Sequence, residues 1–96
     1  MKFAYNKKKD LLLKEERGIS FDEIIFYVQE GYVVDVLVNP NQEKYPQQYI
    51  YVIDIEGYLW LVPFIEDNEK IFLKTAFPSR KHTKKYLEEK NVDKPQ

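Results

Sequence analysis

The chain has 96 residues, a formal net charge of -1 and no cysteine, which excludes disulfides, thiolate catalysis and cysteine-based metal sites. Its single histidine excludes a His-rich metal site as well. The length fits one domain, which we place at residues 1–90, with residues 91–96 as a frayed tail. No apolar run approaches the length of a membrane span, so we expect a cytoplasmic protein. We also expect no cofactor.

Charge is unevenly distributed along the chain. Residues 35–69 contain one Lys and seven acidic residues, whereas residues 70–96 contain eight basic and three acidic residues. This segregation favours a functional surface at the C-terminal end, where an anionic partner would be attracted.

The first predicted helix begins after Asn6, which can cap it, and runs to about Glu16. Leu11–Leu13 supply its apolar contribution, and Gly18 follows as a typical helix exit.

A second helix begins at a capping-box pattern, with Ser20 as the N-cap and Glu23 three residues later. Gly31 stands where a left-handed helix end is expected. Apolar residues recur at helical spacing between these two points, at Phe21, Ile24, Ile25 and Val28.

The sequence then changes to strand patterns separated by short turn signals. The predicted strands are Tyr32–Val38, Gln48–Ile55, Tyr58–Ile65 and Lys70–Phe77. The two middle strands are apolar on both faces and should be central, and Pro63 predicts a bulge or a strand end because it has no amide donor. We therefore predict an α+β fold with an antiparallel meander of about four strands.

A last helix is predicted from a cap at Ser79 to about Lys90. Thr83, Tyr86 and Leu87 have the spacing of an inward-facing side. The acids Glu66, Asp67 and Glu69 fall in one tight turn, which is typical of a solvated hairpin tip, so we assign no metal site.

Cations gather at the start of this last helix, where the helix dipole disfavours them. Arg80 and Lys81 occupy its first turn, and Lys84 follows one turn later. A bound phosphate would offset the repulsion, since it would contact free amides and an Arg fork together. Lys74, which ends the preceding strand, would converge on the same corner. The alternative is that these side chains are simply solvated.

Two further side chains on this helix could move protons. His82 can exchange a proton near neutral pH, although it could equally be a surface residue. Tyr86 lies four residues on and would either face a cleft beside His82 or pack into the core.

Both ends of the chain resemble the BrnT family of toxins. Lys14–Ile24 is similar to the family pattern Lys-His-Gly-Ile-Ser-Phe-Glu-Glu-Ala, and the pair Tyr5-Asn6 occupies the place of an earlier Trp-Asp. Residues Ile71–Tyr86 are similar to the closing pattern Ile-Ile-Ser-Ala-Arg-Lys-Ala-Thr-Lys, with Arg80 and Lys81 at its Arg-Lys pair.

The resemblance implies a RelE-like fold, a small antiparallel sheet backed by helices. It also implies a metal-independent endoribonuclease that cleaves mRNA and is neutralised by a cognate antitoxin. The resemblance carries over Arg80 and Lys81 by position. Together with the chemistry and spacing of the other residues, this makes Arg80, His82 and Tyr86 the catalytic candidates and Lys74, Lys81 and Lys84 the substrate-binding ones, with Lys74 included on geometry alone.

Two other readings of the same residues remain open. The first is a non-catalytic module that uses the basic C-terminal corner to hold RNA or a protein partner. The second is a stand-alone structural protein. The oligomeric state does not follow from the sequence.

Overall fold

Nine elements follow one another along residues 1–92, the part of the chain that a computed structural model describes. In chain order they are β1 (Lys2–Tyr5), α1 (Lys7–Arg17), α2 (Phe21–Gln29), β2 (Val33–Val38), β3 (Gln48–Ile55), β4 (Tyr58–Asp67), β5 (Lys70–Leu73), β6 (Phe77–Pro78) and α3 (Arg80–Val92). The α+β class predicted from the sequence is confirmed. Since α3 extends to Val92, residues 91 and 92 of the predicted tail are helical, and residues 93–96 lie outside the described part.

The strands of this part form one mixed six-stranded sheet rather than the predicted four-stranded antiparallel one. Strands β2 to β5 pair antiparallel in chain order, which confirms the meander. β1 adds to the outer side of β5 in a parallel orientation, with Phe3 opposite Ile71. A strand this short shows no clear alternation in the sequence, and its partner lies near the other end of the chain.

The predicted last strand is divided into β5 and β6. The break lies opposite Pro63 of β4, whose carbonyl accepts a hydrogen bond from the Lys74 amide at 2.8 Å. Because proline has no N–H to donate in return, the ladder stops here and resumes only where Phe77 pairs with Leu61. β4 itself continues through Pro63, so the strand end predicted at this proline falls on the partner strand instead.

Helices cover both faces of the sheet. Phe21 and Ile24 of α2 and Leu13 of α1 pack on one face, in a buried cluster that includes Ile53, Val62, Phe64 and Leu73. Alternate residues of β3 and β4 point the other way and form a second cluster of Val52, Leu59 and Leu61, which Tyr86 of α3 contacts. The prediction that β3 and β4 are central and apolar on both faces is confirmed.

Local signals set the helix ends as predicted. The Asn6 side chain accepts a hydrogen bond from the Lys9 amide at 3.0 Å, and Gly18 closes α1 with a φ of 68°. Ser20 and Glu23 form a complete capping box at the start of α2. These contacts join residues three apart, which explains why the sequence alone reveals them.

Three leucines that the sequence assigns to the apolar sides of helices are instead exposed. The exposed fractions are 60% for Leu11, 45% for Leu12 and 46% for Leu87. Successive helical residues are rotated by about 100°, so only Leu13 of its run faces the sheet. On α3, Thr83 and Tyr86 take the inward positions and Leu87 is turned away from them.

The buried carboxylate of Asp10 joins α1 to α2. Its Oδ1 accepts a hydrogen bond from the Phe21 amide at 2.8 Å, and its Oδ2 lies 3.2 Å from Nζ of Lys14. The first bond satisfies an amide that the start of α2 would otherwise leave free, and the negative charge lies at the positive end of that helix dipole.

We expect Asp10→Ala to lower the free energy of unfolding by about 1–3 kcal/mol, because the buried Phe21 amide loses its acceptor. Urea unfolding followed by circular dichroism would measure the change. Glu16→Ala, an exposed acid on the same helix, is the control. Equal stability of the two variants would contradict this role for Asp10.

The hydroxyl of Thr83 fixes α3 to β4. Its Oγ1 accepts a hydrogen bond from the Leu59 amide at 2.8 Å and donates one to the Ser79 carbonyl at 2.7 Å. The Ser79 amide in turn donates to the Leu59 carbonyl at 2.9 Å. These bonds continue the pairing of β6 with β4 into the first turn of α3, so both polar groups of Leu59 are satisfied.

Thr83→Val keeps the side-chain shape and removes the hydroxyl, which leaves the buried Leu59 amide without an acceptor. We expect the free energy of unfolding to fall by about 1–3 kcal/mol. The matched control is Thr75→Val, since Thr75 is half-buried and forms no side-chain hydrogen bond within residues 1–92. Chemical denaturation of both variants tests the expectation, which fails if their midpoints coincide.

Candidate functional site

A groove lies between α3 and β2 on the face of the sheet opposite α1 and α2. We call it the α3 groove; its volume is about 330 Å³. Its apolar lining comes from Val34, Leu37, Val52 and Leu59, and its polar lining from Asp35, His82, Lys85, Tyr86 and Glu89. The structure therefore brings together two of the predicted site residues, His82 and Tyr86.

His82 is held by the cap of its own helix. Its Nδ1 lies 2.8 Å from Oγ of Ser79, and its backbone amide donates to the same oxygen at 3.2 Å. Ser79 is thus the N-cap that the sequence predicts, and His82 reaches back to it from the first turn. Because a hydroxyl can donate to a neutral imidazole or accept from a charged one, this contact persists in both protonation states and leaves Nε2 for other partners.

Tyr86 belongs both to the groove and to the packing beneath it. Its half-buried ring packs on the cluster of Val52, Leu59 and Leu61 and also forms part of the groove wall. The sequence left open whether Tyr86 faces a cleft or packs into the core, and in the structure it does both. Nζ of Lys90, one helical turn further along α3, lies 4.6 Å from the centre of the Tyr86 ring.

Tyr86 also affects the ionisation of this lysine. Side-chain hydrogen bonding with Tyr86, with a smaller contribution from the Asp54 charge, raises the pKa of Lys90 above its ordinary value. The contact therefore favours the charged ammonium of Lys90.

Three predicted substrate-binding or catalytic cations lie outside the groove. Arg80, Lys81 and Lys84, which we call the outer cations, are exposed and do not line it. Within residues 1–92 none of them forms an ion pair, since the pair between Lys14 and Asp10 is the one that this part of the chain contains. Their charge is therefore available to an external anion.

Lys74 does not share the corner that the outer cations occupy. Its amide is anchored opposite Pro63, whereas Ser79 is anchored opposite Leu59, four residues further back on β4. At the rise of a strand these two points are roughly 13 Å apart. Nζ of Lys74 lies 5.3 Å from the centre of the Phe72 ring. Lys74 and the outer cations therefore lie at two separate positions on the same face and do not converge on one point as predicted.

Three polar side chains of the groove were not predicted from the sequence. Lys85 and Glu89 follow His82 at i+3 and i+7, so the helical spacing could have revealed them. Asp35 could not have been found in this way, because it reaches the groove from β2 only after the sheet has formed.

Tyr86→Phe should bring the pKa of Lys90 down towards its ordinary value, since the ring remains and the hydroxyl is lost. Because the pKa of Lys90 is raised in the folded protein, the contact stabilises the fold below the unfolded pKa, and this stabilisation is lost as the pH rises through the raised value. NMR titration of the lysine side-chain signals would measure the shift. Tyr58→Phe, at an exposed tyrosine, should leave it unchanged; equal pKa values in the two variants would contradict the assignment.

None of the helices within residues 1–92 combines the length and the apolar character that crossing a bilayer requires. Among the same residues, no three acidic or histidine side chains gather in a group that could hold a metal ion. Comparison with protein-family models, with curated proteins and with solved structures finds no match.

Proposed function

We propose that this chain is a RelE-like, metal-independent endoribonuclease that cleaves mRNA and is held in check by a cognate antitoxin. The observation that carries the proposal is the α3 groove, in which His82 and Tyr86 lie one helical turn apart beside Lys85. Two groups that carry protons and one cation are the kinds of side chain that metal-free RNA cleavage requires.

In such a reaction the 2′-oxygen of the RNA attacks the adjacent phosphorus, and the bond to the 5′-oxygen breaks. One group accepts the 2′-hydroxyl proton, and another donates a proton to the leaving oxygen. His82 suits the exchange because Ser79 holds Nδ1 in either protonation state and the ring remains oriented. The Tyr86 hydroxyl is the second candidate, and Lys85 can stabilise the charge on the phosphate oxygens.

The outer cations extend this site towards the rest of the RNA. They lie on the same helix as His82 and are not neutralised by acids within residues 1–92. Contacts with flanking phosphates would position the strand over the groove and would weaken as salt increases. Lys74 lies further along the same face, where it can contact the backbone at a separate phosphate.

The order of the elements also supports the proposal. Two helices back one face of a small sheet, and a helix closes the chain on the other face. This is in keeping with the arrangement that the resemblance to BrnT-type toxins implies. An antitoxin would then cover the outer cations with an acidic or amphipathic segment, because complementary charge makes such a surface selective.

A non-catalytic binding module is the second candidate. The outer cations lie outside the groove, so they could hold RNA or an acidic protein segment without any contribution from His82. Cleavage and binding therefore depend on different residues, which allows them to be separated by substitution.

Purified protein incubated with mRNA in a chelator tests the proposal directly. We expect cleavage, a rate reduced about 100-fold or more by His82→Ala, and binding that remains intact in this variant. The double variant Arg80→Ala/Lys81→Ala should weaken binding and reduce its salt dependence. The matched control is Lys7→Ala/Lys8→Ala, which removes two exposed cations at the start of α1.

Intact RNA in every lane, together with salt-dependent binding that requires the outer cations, would establish the module and reject the nuclease. Cleavage that survives His82→Ala would reject His82 as the proton-transfer group. If RNA is neither bound nor cleaved, both candidates fail.

A further inference from the structure

The α3 groove combines carboxylates with an apolar floor, which is unusual for a surface that would bind only phosphate. Asp35 and Glu89 line it together with Val52 and Leu59, whose side chains are almost fully buried. The part of the groove beside the two acids would repel a phosphate, whereas a flat apolar group bearing N–H donors would suit both the floor and the acids. The outer cations, by contrast, are positioned to take the phosphates outside.

The groove is large enough to hold a nucleobase. Its volume of about 330 Å³ lies at the lower end of the range for small-ligand sites. The Tyr86 ring forms part of the wall, so a base in the groove would contact an aromatic side chain. A base turned into the groove would therefore leave its sugar and phosphate near His82 and Lys85.

The carboxylate of Asp35 is bound through one of its oxygens to the backbone of β2. Its Oδ1 accepts a hydrogen bond from the Val36 amide at 2.8 Å, and within residues 1–92 no cation pairs with it. β2 is an edge strand, so this amide has no strand partner on that side and the side chain supplies the acceptor instead. The remaining acceptor positions of the carboxylate are available to a ligand.

We propose that the groove reads one base of the bound RNA and that Asp35 makes guanine the preferred base. Guanine presents N1–H and the N2 amino group side by side on its pairing edge, so it can donate two parallel hydrogen bonds to one carboxylate. Adenine and cytosine offer a single amino group next to ring acceptors, and uracil offers one N–H between two carbonyls that the carboxylate repels. This inference rests on the proposed function for its RNA ligand, but it can be tested without cleavage.

The test uses the full chain labelled with ¹⁵N and titrated separately with the 5′-monophosphates of guanosine, adenosine, cytidine and uridine. We expect guanosine monophosphate to shift the amide signals of Asp35, Val36 and His82 and to saturate them at least about tenfold below the concentration that the other three need. Absence of guanosine monophosphate binding, or equal saturation by all four, would overturn the inference.

Two variants test whether Asp35 is the source of the preference for guanine. Asp35→Asn retains an oxygen for the Val36 amide but cannot accept two parallel donors, so the preference should shrink to about threefold or less. Glu88→Gln makes the same charge change on α3 outside the groove and should retain the full preference. If the two variants behave alike, Asp35 does not read the base.

The outcomes distinguish this inference from the proposed function. Guanine preference without RNA cleavage would support the base site and reject the nuclease. RNA cleavage with no preference among the nucleotides would retain the nuclease and reject the base site.

Discussion

The hydroxyl of Thr83 is the contact on which the position of α3, and with it the α3 groove, depends. It accepts the Leu59 amide and donates to the Ser79 carbonyl, and Ser79 returns a bond to Leu59. A helix of high charge and little apolar surface has few other ways to be held against a sheet. By continuing the pattern of strand pairing into the first helical turn, these bonds determine where α3 begins and therefore where its side chains point.

The two faces of the sheet carry different physical roles. On one face, α1 and α2 cover the larger apolar cluster, and their ends are set by caps and by the buried Asp10. On the other, α3 covers only part of a smaller cluster and leaves the groove open. Burial of apolar area thus supports the fold mainly from one side, and the less covered side can expose polar groups to a ligand.

The start of α3 carries a local conflict between stability and charge. Arg80 and Lys81 lie where the helix dipole disfavours cations, and its first turn contains no acid to offset them. The Ser79 cap and the Thr83 hydroxyl compensate by satisfying the exposed backbone groups. The cations at the start of α3 therefore do not stabilise the helix that carries them, which supports the proposal that they serve binding.

By itself the sequence determined the features that depend on neighbours along the chain. Asn6, the Ser20 and Glu23 pair and Ser79 cap helices through contacts three residues away, and the meander follows from short turns between apolar runs. The sequence also places Tyr86 beside His82, because one helical turn separates them. Only the tertiary structure decided the rest: β1 forms because β5 supplies its partner, the last strand divides because Pro63 lies opposite it, and Asp35 meets α3 because β2 ends the sheet beside that helix. Each of these depends on residues distant in sequence, whose approach is fixed by strand pairing and packing and leaves no periodic signal in the chain.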